Sequence, residues 1–92
     1  MTNDRLVQTI AGTVAEAAKQ GFSYPLHVVI ELADGRRLTR VVYTDRIVTP
    51  IAGPHLLPAS VEVRELDATT GKPKEGRVLR IEIEPDYYRR LE

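Results

Sequence analysis

The sequence predicts an α+β domain: one N-terminal helix packed on a strongly bent, four-stranded antiparallel sheet, closed into a small barrel or left as an open curved sheet. Three observations carry this. Apolar residues recur at helical spacing over residues 3–20. From Tyr24 onward they alternate at strand spacing, between turns rich in Gly, Pro and Asp. The length, 92 residues, is that of one domain, so 1–92 is read as a single unit.

In the helix, Leu6, Val7, Ile10, Val14 and Ala18 share one face, and Ala11, Ala15 and Ala17 widen it with small side chains. Thr2 or Asn3 suits the N-cap, and Asp4 suits the positive helix end. Gly21 fits the left-handed position after the last turn, with Phe22 folding back on Ala17. Gly12 lowers helix propensity, which points to a close approach of helix and sheet.

Tyr24-Pro25 forces extended backbone. Leu26, Val28, Ile30 and Leu32 then alternate with His27, Val29, Glu31 and Ala33 as a half-buried strand. Asp34-Gly35 predicts a hairpin, because both turn positions can accept positive φ. The return strand, Arg37 to Val48, changes apolar face: Leu38 and Val42 on one side, Val41, Tyr43 and Ile47 on the other. That pattern predicts a bulge or a sharp bend. Residues 49–59, TPIAGPHLLPA, hold three prolines and a glycine and read as an unusually apolar loop. Ser60–Leu66 and Arg77–Glu84 form the last two strands, around a polar turn at 67–76. Charge selects the register of that hairpin. Val63 opposite Leu79 and Val61 opposite Ile81 also sets Glu62 against Arg80 and Glu65 against Arg77. A two-residue shift opposes like charges, which is destabilising. Asp86 to Leu91 reads as a final helical turn.

Composition narrows the function classes. Thirteen basic and thirteen acidic residues balance, whereas proteins that hold nucleic acid by charge alone carry a basic excess. Arg outnumbers Lys ten to three, a bias that a GC-rich genome produces without any function. The absence of cysteine removes disulfides, thiol catalysis and the commonest zinc sites. No segment has the pattern of a signal peptide or approaches a membrane span. A cytoplasmic location and no membrane partner are expected.

No residue constellation amounts to a known chemistry. His27 shares a strand face with Glu31, and His55 sits in the apolar loop, but no metal-ligand spacing accompanies them. Glu82, Glu84 and Asp86 read as a solvated, salt-bridged series beside Arg80. Phosphate-cradle and nucleophilic-serine motifs are missing. We therefore assign no catalytic residue, metal or cofactor. Candidate partner-binding residues fall in two groups. Ile51, His55, Leu56 and Leu57 belong to a loop that either caps the core or stands exposed as an interface. Arg40, Tyr43, Tyr87, Tyr88, Arg89 and Arg90 combine aromatic and guanidinium groups, the residue types that stack bases and hold phosphates.

One segment resembles a known family. His27–Asp45, HVVIELADGRRLTRVVYTD, resembles the first hairpin of Sm-like and SH3-like small β-barrel proteins: apolar alternation, Asp-Gly, a basic pair, then a bent strand ending near Asp. Within that group the chain is most similar to the small bacterial Rho-inhibitor (Rof-like) proteins, where a helix precedes the hairpin and a strand similar to Arg77–Glu84 closes the sheet. The likeness spans roughly half the chain. It departs at 49–59, at 67–76, and at Arg40, near which the family has glycine. It carries over no functional residue. The rival is a helix cradled by an open sheet, as in cystatin-like folds, without the Gln-x-Val-x-Gly segment of the inhibitors.

The expected function is a non-enzymatic binding module. It would meet a protein partner, a second copy of itself or RNA through a sheet face, a sheet edge or the 49–59 loop. The alternatives are a small or metal-dependent enzyme using His27, Glu31 or His55, and a structural subunit whose sheet edge pairs with a neighbour.

Overall fold

The structure, a computed structural model, describes residues 4–46 and 56–83. In chain order it has α1 (Asp4–Lys19), β1 (Leu26–Leu32), β2 (Arg37–Val42), β3 (Pro58–Glu65) and β4 (Leu79–Glu82). The four strands form one antiparallel sheet in the order β2-β1-β3-β4. The helix packs on one side of it, chiefly over β3. β2 and β4 lie at opposite edges and do not pair, so the sheet is open and the barrel alternative is set aside. The expected caps at Thr2 or Asn3, the end of the second strand at Ile47 and Val48, most of the 49–59 loop and the turn at 86–91 lie outside the described residues.

The core is one layer between helix and sheet. Leu6, Ile10, Val14 and Ala17 of α1 meet Leu26, Val28, Ile30 and Leu32 of β1 and Val61 and Val63 of β3, all buried. Burying one such branched side chain contributes about 1.5–3 kcal/mol. The helix face is rotated slightly from the sequence expectation: Ala17 is buried and Ala18 exposed. Both are alanines, and the Ile10–Val14–Ala17 spacing follows 3.6 residues per turn more closely. Thr13, also buried, satisfies its hydroxyl by donating to the Thr9 carbonyl at 2.8 Å.

Gly12 does not mark a close approach. It is exposed, and a Cβ there would meet nothing within 4 Å. The expected packing role is therefore corrected: Gly12 only weakens the helix.

The helix ends as the sequence predicts. Gly21 takes a φ of 87°. Its N–H donates to the Ala18 carbonyl and that of Phe22 to the Ala17 carbonyl, the paired bonds of a Schellman ending. Arg77 then docks on this end from the far side of the chain. Its guanidinium donates to the carbonyls of Gln20 and Gly21 and lies 4.5 Å from the Phe22 ring centroid. A cation there complements the negative helix end. Beside it, the Ser23 N–H donates to the Glu65 carboxylate at 2.6 Å. That bond, with Lys74 and Arg77 nearby, holds the Glu65 pKa below the usual glutamate value despite some desolvation.

The strands follow the expected alternation with three corrections. Among the described residues none other than glycine has positive φ, so Asp34 does not adopt it. Leu32 instead pairs with Arg36, its N–H donating to the Arg36 carbonyl at 2.7 Å. Only Gly35, at φ 92°, is left-handed in the three-residue loop. The Asp34 carboxylate accepts from the Arg36 N–H and Nε, which lowers its pKa. Second, β2 runs in unbroken register with β1; the irregularity lies in the β1–β3 ladder, where Glu31 pairs with Ser60 and Leu32 with Pro58, leaving Ala59 as the extra residue on β3. Third, Arg77 does not oppose Glu65 in the ladder. Lys74 N–H bonds the Glu65 carbonyl, which frees Arg77 for the helix end. The remaining register is as charge selected it: Val63 with Leu79, Glu62 with Arg80, Val61 with Ile81.

Two outcomes follow. Gly12→Ala stabilises the protein by about 1 kcal/mol, read as a rise in thermal midpoint of about 4–8 °C for a domain of this size; an unchanged or lower midpoint would mean that Gly12 has a contact not described above. For Glu65, the folded pKa lies below the unfolded one, so its contribution is complete above the ordinary value of about 4.3 and is lost as pH falls through the lower, folded value. Glu65→Gln therefore lowers the midpoint at neutral pH, and the gap to the native chain narrows on acidification. A gap that widens instead contradicts the clasp.

Candidate binding face of the sheet

The side of the sheet opposite α1 has no element over it among the described residues. Alternation places there His27, Val29 and Glu31 of β1, Arg37, Thr39 and Val41 of β2, Ser60, Glu62 and Arg64 of β3, and Arg80 and Glu82 of β4. The registers align these into rows across the strands. Thr39, Val29, Glu62 and Arg80 form the middle row; Val41, His27 and Arg64 lie on one side of it, and Arg37, Glu31, Ser60 and Glu82 on the other.

The charges in these rows are matched to each other. Arg37 lies 3.7 Å from Glu31. Arg64, Glu62, Arg80 and Glu82 form a chain with separations of 3.7, 4.0 and 3.2 Å. A shallow depression runs between the pairs, lined by Val29, Glu31, Arg37, Ser60, Glu62 and Arg80. Partly exposed pairs of this kind contribute little stability. They flank, on two sides, a patch formed by His27, Val29, Thr39 and Val41.

This geometry decides between some roles for the sequence candidates. His27 and Glu31 share the face, but four residue steps along the strand set them about 13 Å apart, too far to serve one reacting atom directly. Among the described residues no three His, Asp or Glu side chains converge as a metal site. Glu82 pairs with Arg80, as expected of it, and the other members of the series, Glu84 and Asp86, lie outside the described residues. Of the Arg and Tyr group, Arg40 points to the helix side, half-buried opposite Val28, and donates to its own neighbour's carbonyl at Thr39. Tyr43 is 71% exposed just beyond β2. Other arginines are engaged within the chain: Arg36 on Asp34, Arg37 on Glu31, Arg64 and Arg80 on Glu62, Arg77 on the helix end. Leu56 packs against the core and Leu57 is half-buried, so this end of the apolar loop caps the sheet. With Leu32, Ala33, Asp34 and Arg36 they line a second shallow pocket at the β1–β2 turn. Ile51, His55, Tyr87, Tyr88, Arg89 and Arg90 lie outside the described residues.

Sequence reasoning did not single out Val29, Thr39 or Val41 as a group. The signal was present in the strand alternation, but recognising the patch required knowing that β1 and β2 are neighbours and that the helix takes the opposite side. No helix among the described residues is long and apolar enough to cross a membrane. Comparison with protein-family models, with curated proteins and with solved structures finds no match to this chain.

Proposed function

We propose that this chain is a non-enzymatic binding module that recognises a protein partner through the uncovered sheet face. The observation that supports this reading is the small patch of His27, Val29, Thr39 and Val41, flanked on two sides by guanidinium and carboxylate groups that are already matched. A protein interface characteristically has this arrangement, an apolar centre and a polar rim. A nucleic-acid surface needs unmatched cations facing the phosphates. Here three arginines on the face are balanced by three glutamates.

The test is capture from the native host with the immobilised chain, comparing the native sequence with Val29→Arg. Val29 is half-buried at the middle of the face and outside the core, so the fold tolerates the change while the patch does not. We expect a discrete protein partner that is retained from about 0.05 to about 0.5 M salt, a range over which exposed charge interactions are screened. Val29→Arg should lose it. Recovery of RNA instead, with retention falling steeply as salt rises, would overturn the reading.

A further inference from the structure

We infer that the free edge of β2 is a homodimer interface, where two copies of this chain join their sheets into one of eight strands. Thr39 and Val41 belong to both the face and this edge, so Val29→Arg, which lies off the edge, separates the two readings: it should lose the protein partner and leave the dimer intact.

The orientation of the β2 backbone comes from the hairpin. Leu32 bonds to Arg36, and pairs alternate along an antiparallel ladder, so Leu38, Arg40 and Val42 turn their N–H and C=O groups toward β1. Arg37, Thr39 and Val41 turn theirs outward. Among the described residues these outward groups have one partner, the Arg40 guanidinium on the Thr39 carbonyl. A row of unsatisfied groups of this kind is a template for another strand. Val41, 39% exposed, and Tyr43, 71% exposed, stand along the same edge.

Self-pairing about a two-fold axis must match outward residues with outward residues, so the axis passes through a residue. An axis at Arg40 opposes two guanidinium groups, which is unfavourable. An axis at Thr39 sets Val41 against Arg37 and leaves Tyr43 opposite Gly35 of the turn. An axis at Val42 sets Asp45 against Thr39 and gives Arg37 no acid. An axis at Val41 packs Val41 on its own symmetry mate and Thr39 on Tyr43 of the second copy. It also places Arg37 opposite Asp45, so both ends of the pairing carry opposite charges. Leu38 and Arg40 then face Thr44 and Val42 on the helix side. The bend at Thr44 and Asp45 falls at the rim, where the Asp45 side chain alone has to reach. The charge pattern and the exposed apolar residues therefore select the same register, and the occupant that supplies both is a second copy.

Light scattering tests this. The native chain should show twice its 10.3 kDa mass within a concentration series reaching about 1 mM, the range in which interfaces of modest area form. Val41→Lys should return it to 10.3 kDa with an unchanged far-ultraviolet spectrum, because Val41 lies outside the core. Arg37→Asp should raise the dissociation constant about ten-fold, and adding Asp45→Arg should restore it. In this cysteine-free chain, Val41→Cys should oxidise to a covalent dimer and Arg80→Cys, on the opposite edge, should not. A monomer throughout, a dimer unaffected by Val41→Lys, or preferential cross-linking at Arg80→Cys would each overturn the inference.

Discussion

The pairing of β1 with β3 joins strands separated by the β1–β2 hairpin and residues 43–57. It sets Val28 beside Val63 and Ile30 beside Val61, with all four inaccessible to solvent. The other elements depend on this contact. The helix rests chiefly on β3, and its Leu6, Ile10 and Val14 have an apolar surface to cover only because β1 and β3 are adjacent. β2 is held through β1, and β4 through β3. The Arg77 and Glu65 clasp then fastens the helix end to the β3–β4 hairpin. It acts across 42 to 57 residues of sequence, yet through exposed groups, so it tunes an arrangement that apolar burial has already fixed.

One helix over four strands leaves the sheet asymmetric. One side is core, the other a neutral, charge-matched face, and both edges lack a neighbouring strand. Neither surface offers converging groups for catalysis among the described residues. Under the proposals above, the face meets a protein partner and the edge of β2 a second copy. Among the described residues, Arg36, Arg37, Arg64 and Arg80 match carboxylates, and Arg40 and Arg77 cap carbonyls.

Local chemistry was legible in the sequence, and long-range geometry was less so. Gly21 followed by Phe22 specified the helix ending, because only a left-handed residue closes the last turn that way. Glu62 and Arg80 specified the β3–β4 register against the shift that would set Glu62 on Glu82 and Arg64 on Arg80. Asp34-Gly35 marked a turn but not its length, since a two-residue and a three-residue loop both use that pair. The role of Arg77 was hidden because its partners, the carbonyls of Gln20 and Gly21, have no signature in the sequence. Nor could alternation alone show whether β2 closes a barrel. The face change at Val41 reflects an exposed position on an edge strand, not a bulge. The candidate patch was unreadable for the same reason: Val29 and Val41 become neighbours only through the β1–β2 register.

The primacy of the β1–β3 contact is open to native-state hydrogen exchange. Along β1 the amides alternate in direction: Val28 and Ile30 donate toward β2, Val29 and Glu31 toward β3. If β2 separates before the β1–β3 pair does, the amides of Val29 and Glu62 exchange only with global unfolding, while those of Val28 and Ile30 exchange faster within the same strand. Protection at Val28 and Ile30 that outlasts Val29 and Glu62 would contradict this order and place the centre of the fold in the first hairpin.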